Sequence, residues 1–153
     1  MSQSRRLLIV GANPPVSSGI RTKQRCALAA DLLNAASWRL ANLFPIATGT
    51  VIDLAEVGQD PDTWHAARPA LAHGLRESDS VLLAYGTSRP AGAAGPLMRA
   101  QEDWLRKAIC EHDLPSFQVG DAPRHPTRWQ RWTSKYHPDL SFPEALLLSI
   151  RPC

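Results

Sequence analysis

Short apolar segments alternate with longer amphipathic stretches along most of the chain. Leu7-Leu8-Ile9-Val10 is a continuous apolar run between charged residues and a Gly/Pro loop. Such a run is typical of a strand covered on both faces, as in a parallel sheet. Further strands are predicted at 38–44, 80–86 and 115–119.

The stretches between these strands predict helices at 22–36, 63–75 and 97–112. Thr22 is the expected cap of the first helix, and Pro69 has to lie near the start of the second or kink it. The apolar segment 143–150 fits either a helix or a strand. Because alternating strands and helices form βαβ units, we predict an α/β fold with a parallel sheet, in a single domain over 1–153.

The composition is that of a globular protein. Of the 153 residues, 44% are hydrophobic and 20% are charged, which disfavours disorder. The three cysteines are scattered and form no Cys-x-x-Cys pair, so we expect reduced thiols, no metal site and no cofactor. The first apolar run is too short for a signal peptide and no run approaches membrane-spanning length, so we expect a cytoplasmic protein without a membrane partner.

The net charge of +3 is a mild bias, but the cations are unevenly distributed. They crowd into two segments, one with Arg21, Lys23 and Arg25 and one with Arg124, Arg128, Arg131 and Lys135. The second segment also holds Trp129, Trp132 and Tyr136. Aromatic rings between cations suit a phosphate backbone with unstacked bases. A helix with its aromatic rings in the core and its cations in water explains the pattern equally well, and both interpretations stay open.

Two asparagines lie where the first two predicted strands end. In parallel sheets, ligands bind outside the carboxyl ends of the strands. Asn13, in the loop Gly11-Ala12-Asn13-Pro14-Pro15, offers a donor and an acceptor, although Asn-Pro is also a common turn dipeptide. Asn42 forms hydrogen bonds either with the polar edge of a ligand or with a neighbouring loop that it holds in place. The first loop lacks the Gly-Lys-Ser/Thr ending of a phosphate-binding P-loop.

His125 follows the fourth predicted strand, in the sequence Pro123-Arg124-His125-Pro126. The flanking prolines hold it outside a helix interior. An imidazole in this position can donate a hydrogen bond to an oxygen that gains negative charge during a reaction.

These motifs together resemble a bacterial and phage family known as domain of unknown function 1643. The matching motifs are Asn13-Pro14-Pro15-Val16, Arg21 to Arg25, Ala41-Asn42-Leu43-Phe44, Tyr85-Gly86 and Pro123-Arg124-His125-Pro126. They cover about residues 7–130. Pro15 stands where that family usually has Ser, and Tyr85 where it usually has Trp.

The same motifs, in the same order, are more distantly similar to the uracil-DNA glycosylase superfamily. That likeness implies a three-layer α/β/α sandwich around a four-stranded, mainly parallel sheet. It also implies hydrolysis of an N-glycosidic bond, with a flipped or free base lying over the strand ends. Asn13 would position the attacking water, His125 would stabilise the departing base, and Asn42 would bind the polar edge of the base.

Further roles are implied for the residues around this pocket. The base would stack on Phe44 in a pocket completed by Pro14, Tyr85 and Gly86, and Arg128 or Trp129 would fill the vacated stack. Nucleic acid would contact Arg21, Lys23, Arg124, Arg128, Trp129 and Arg131. The expected partner is therefore a nucleic acid or a nucleotide-like ligand, and no oligomeric state is indicated. Two alternatives are a non-catalytic nucleic-acid-binding module and an enzyme for a small nucleoside-like or amide-containing molecule.

Overall fold

Residues 5–153 are described by a computed structural model, and within them the chain forms one sheet with helices on both of its faces. The strands are β1 (Arg6–Gly11), β2 (Ser37–Asn42), β3 (Ser80–Leu83), β4 (Ser116–Val119) and β5 (Ile150–Pro152). The helices are α1 (Ile20–Leu32), α2 (Val51–Val57), α3 (Pro61–His65), α4 (Arg68–Arg76), α5 (Ala94–Glu111), α6 (Pro126–Tyr136) and α7 (Phe142–Ser149).

The sheet is mixed and has the strand order β2-β1-β3-β4-β5. The first four strands pair in parallel and correspond to the four predicted segments, whereas β5 is antiparallel to β4. The prediction of four strands is therefore wrong by one. The segment 143–150 is almost entirely helix α7, and the chain then reverses into a three-residue strand along the free edge of β4. A strand this short leaves no hydrophobic period to read.

β1 lies at the centre of the core. Its side chains alternate between two apolar clusters: Leu8 and Val10 pack with α2, α3, α4 and α5, while Leu7 and Ile9 pack with α1, α6 and α7. All four are at most 1% exposed. Cys26 of α1 belongs to the second cluster, and its burial raises the pKa of the thiol to about 12. That thiol is a core residue and stays protonated at neutral pH.

Several helix boundaries differ from the predicted ones. α1 begins at Ile20 after Gly19, which has a φ of 64°, so Thr22 lies inside the helix and does not cap it. The predicted helix 63–75 is two helices, α3 and α4, because Pro69 occupies the first turn of α4 and the chain must restart there. α5 begins three residues before the predicted position.

The strand order creates a topological switch between β1 and β3. From β1 the chain passes through α1 to β2 on one side, and it then crosses to β3 on the other side of β1. Connections that leave two adjacent strands in opposite directions open a crevice at their carboxyl ends, which is where open α/β sheets bind ligands. The fold thus places the end of β1 and the end of β3 at one opening.

None of the helices within residues 5–153 is long and apolar enough to cross a membrane.

At Gly120, which follows β4, the backbone passes close to the Trp132 ring. Its φ is +74°, and a Cβ at this position would lie 2.5 Å from the Trp132 ring. Only glycine combines that backbone conformation with so close an approach.

We expect Gly120→Ala to lower the free energy of unfolding by about 2–4 kcal/mol, because it adds a steric clash to the cost of a left-handed alanine. Gly92→Ala is the matched control: Gly92 has a φ of +66° and open space around its Cβ position. It should cost only about 1 kcal/mol. Urea denaturation measures both, and equal losses would contradict the packing of Trp132 on Gly120.

Candidate functional site

A cleft of about 980 Å³ opens at the carboxyl ends of β1 and β3. Four segments form most of its wall: residues 12–22, residues 48–51, residues 85–88 and residues 124–128 without Pro126. They are the loop after β1 with the first turn of α1, the loop before α2, the residues after β3, and the start of α6. Three of the four predicted strand-end motifs, all except the one that contains Asn42, thus meet at the topological switch.

Asn13 is fixed with its amide nitrogen toward the protein. The Nδ2 group donates to the carbonyl oxygen of Ile46, at 3.3 Å, and to the hydroxyl of Thr48. Since a carbonyl oxygen can only accept, the amide orientation is determined, and Oδ1 is left as an acceptor. The side chain therefore joins the loop after β1 to the loop after β2 and also contributes to the cleft wall.

His125 caps the amino end of α6 with its ring. The backbone N–H of Thr127 donates to Nδ1 at 3.2 Å, and the hydroxyl of Thr127 lies 2.8 Å from the same nitrogen. Nδ1 is thus the acceptor, and in the neutral ring the proton belongs on Nε2. Desolvation by burial, with a smaller effect of the neighbouring Arg128 charge, lowers the pKa of His125. At neutral pH the ring is an uncharged Nε2–H donor in the cleft wall.

Gly86 connects the end of β3 to the loop that carries His125. Its N–H donates to the carbonyl oxygen of Pro123 at 2.7 Å, and its φ is +87°. The preceding Tyr85 is almost fully buried, which raises the pKa of its phenol, and its hydroxyl accepts from Arg106 Nη2 at 3.2 Å. Both residues line the cleft.

The charge in the cleft has one sign. Among its described lining residues, three are arginines (Arg21, Arg124 and Arg128) and none is aspartate or glutamate. Arg124 is bonded to Asp121 at 2.6 Å and to the Val119 carbonyl oxygen. Arg21 and Arg128 are exposed and form no ion pair with any residue in 5–153. A cleft of this kind favours an anionic ligand.

Hydroxyl groups add to this polar wall, and none of them belongs to the predicted site residues. They belong to Ser17, Ser18, Thr22, Thr48, Thr50, Thr87, Ser88 and Thr127. Thr87 and Ser88 directly follow the third predicted strand, so the strand-end rule was sufficient to find them. Thr48 lies four positions beyond the second predicted strand, so the strand-end rule does not reach it, and its hydroxyl accepts from Asn13 Nδ2.

Of the predicted base-binding residues, Pro14, Tyr85 and Gly86 line the cleft, but Asn42 and Phe44 do not. The Oδ1 atom of Asn42 lies over Gly11, 2.6 Å from where a Cβ would stand there. Phe44 has no exposed surface and packs edge-on against Trp64, with ring centroids 4.6 Å apart. The expected stacking of a base on Phe44 is corrected accordingly, since the ring is part of the core.

Trp129 also belongs to the core. It has no exposed surface, and its indole N–H donates to the Arg124 carbonyl oxygen at 2.9 Å. It is therefore not placed to enter a base stack, which corrects that prediction, and for this residue the core interpretation holds. Lys23 and Arg131 are exposed but lie outside the cleft wall. The Arg25 guanidinium group donates hydrogen bonds to the Pro126 carbonyl oxygen and to the Gln130 side chain, and these bonds connect α1 to α6.

No protein-family model, curated protein or solved structure matches this chain. The resemblance to domain of unknown function 1643 and the more distant one to uracil-DNA glycosylases stay predictions from the motifs. Across 5–153 no three His, Cys, Asp or Glu side chains are grouped to hold a metal ion.

The position of the His125 proton is directly measurable. We expect long-range ¹H–¹⁵N NMR spectra at pH 7 to show that Nε2 is protonated and Nδ1 is not. The pKa of the His125 ring should lie below the ordinary value of about 6.5. Arg128→Gln should raise that pKa, because it removes the neighbouring positive charge. Protonation of Nδ1 in the neutral ring, or no response to Arg128→Gln, would contradict the geometry described above.

Proposed function

We propose that the cleft binds a nucleotide unit, in DNA or as a free nucleotide, and that the protein hydrolyses its N-glycosidic bond. One observation carries the proposal: Asn13, which keeps an unused acceptor, and His125, a neutral donor, line the same cleft, whose lining residues include exposed arginines and no aspartate or glutamate. A fold with helices on both faces of a largely parallel sheet supports the three-layer, uracil-DNA glycosylase-like architecture that we assign to it.

Binding of the phosphate is supported by charge and by free backbone donors. Arg21 and Arg128 supply two exposed guanidinium groups at the cleft. The amino end of α1 reaches the same wall, and its Gly19 cap has no side chain to occupy the N–H groups of the first turn. Such N–H groups and the positive end of the helix dipole favour an anion.

The proposed reaction is displacement of the base by water. The water oxygen bonds to C1′, the C1′–N bond breaks with its electron pair on the base, and the water proton ends on the base or in solvent. Asn13 Oδ1 accepts a hydrogen bond from the water and orients it. The Nε2–H of His125 donates to the oxygen of the departing base, where negative charge develops.

The lack of acidic groups helps to define the substrate. Hydrolases of sugar–oxygen bonds typically use a pair of carboxyl groups, one of them as the acid that protonates the leaving oxygen. The lining residues of this cleft include no such pair. A nucleobase that departs as a stabilised anion needs a hydrogen-bond donor more than a strong acid, which is what His125 offers.

We expect His125→Ala to slow base release about 100-fold, the usual loss when one donor to a developing anion is removed. Asn13→Ala should cause a comparable loss, while both variants keep most of their affinity for an oligonucleotide. Asn42→Ala is the matched control and should keep the wild-type rate, because Asn42 lies outside the cleft wall. Chromatography of bases released from oligonucleotides carrying a panel of modified bases measures all three.

Wild-type protein that binds these oligonucleotides but releases no base from any of them would contradict hydrolysis. That result would favour the non-catalytic nucleic-acid-binding module. Absence of binding even at low salt, where phosphate contacts are strongest, would favour the small-molecule enzyme.

A further inference from the structure

The solvent face of α6 carries cations and aromatic rings and no carboxylate. Arg131, Lys135 and Tyr136 are exposed and Trp132 is half-buried, and Arg151 of β5 lies next to them. We refer to Arg131, Trp132, Lys135, Tyr136 and Arg151 as the α6 ledge. None of these five side chains lines the cleft.

The two aromatic rings of the ledge pack against each other. The Trp132 and Tyr136 centroids are 4.4 Å apart at an interplanar angle of 34°. Trp132 is held by the backbone of Gly120 and by the guanidinium groups of Arg124 and Arg151, 5.1 and 5.8 Å from its centroid. Tyr136 is the outer ring, 54% exposed, and the Nζ of Lys135 lies 5.5 Å from its centroid.

The ledge begins at the cleft. Arg128 lines the cleft, and Arg131 and Trp132 follow it by three and four positions on the same face of α6. Tyr136 lies eight positions after Arg128, which corresponds to about 12 Å along the helix axis. A bound strand that leaves the cleft past Arg128 therefore meets the cations and then the exposed ring.

We propose that the α6 ledge binds single-stranded nucleic acid that continues out of the cleft. A base stacks on the exposed ring of Tyr136 once Lys135 turns from that ring to a phosphate, and further phosphates contact Arg131 and Arg151. A single strand fits better than a duplex, because only unpaired bases offer a free face to a protein ring. The inference rests on the proposed function to the extent that the cleft holds a nucleotide, and it selects a polymer over a free nucleotide.

The test is the affinity of the whole protein for a fluorescein-labelled single-stranded oligonucleotide, measured by anisotropy as a function of salt. Tyr136→Ala should weaken binding about 5- to 100-fold, the effect of losing one base stacked on an aromatic ring. In the double variant Arg131→Gln, Lys135→Gln, a plot of log affinity against log salt concentration should become less steep by about 1.4. Each phosphate contact in a single strand contributes about 0.7 to the magnitude of that slope.

Matched controls lie elsewhere on the surface. Leu148→Ala removes a 58% exposed apolar side chain from α7, and Lys107→Gln removes an exposed cation from α5. Both should bind the oligonucleotide as the wild type does. NMR titration with a 2′-deoxynucleoside monophosphate isolates the cleft, and this affinity should be unchanged in Tyr136→Ala.

If Tyr136→Ala binds the oligonucleotide as tightly as the wild type does, the proposed role of the ledge is contradicted. A protein that binds or hydrolyses the monophosphate but not the oligonucleotide would also contradict it, and in that case the proposed function stands. Binding that depends on Tyr136, together with base release that is insensitive to Asn13 and His125, would support the ledge and contradict the proposed chemistry.

Discussion

The confinement of β1 is the constraint on which the rest of the structure depends. Its residues Leu7–Val10 have a parallel neighbour on each side and an apolar helical cluster on each face. Burying a side chain of this kind contributes about 1.5–3 kcal/mol, so exposing either face of the strand is costly. The chain leaves β1 at its carboxyl end and continues to β2 on one side of it. The chain leaves β3, on the other side of β1, in the opposite direction towards β4. The cleft is the space that these diverging connections leave.

A small number of polar contacts give that space fixed walls. Gly86 donates to Pro123 and so sets the His125 loop against the end of β3, while Arg25 joins α1 to α6, the two helices whose first turns line the cleft. On the far face of the sheet, the buried amide of Gln101 donates to the carbonyl oxygens of Leu43 and Trp64, which anchors the chain after β2 to α5. Because these bonds join different elements, the side chains in the cleft are held before any ligand arrives.

Sequence patterns predicted the parallel strands and much of the cleft wall for one reason: both depend on where buried runs end. Asn13, Gly86 and His125 lie at the carboxyl ends of predicted strands or within six positions after them, and the sheet brings them to one edge. Phe44 and Trp129 also lie near strand ends, but their rings turn inward. Phe44 N–H pairs with the Ala12 carbonyl oxygen and its ring meets Trp64, twenty positions along the chain. For Trp129, helical spacing fits the core and a binding surface equally, and only the packing of α6 on the sheet decides between them.

The central claim is that the cleft between the ends of β1 and β3 is a nucleotide site. Backbone amide chemical shifts measured during titration with a 2′-deoxynucleoside monophosphate at low salt test it most directly. The account predicts saturable shifts at Asn13, Ser18, Gly86 and Thr127, which line the cleft, and little change at the exposed leucines of α7. Shifts confined to surfaces away from the cleft, or none at all, would contradict it.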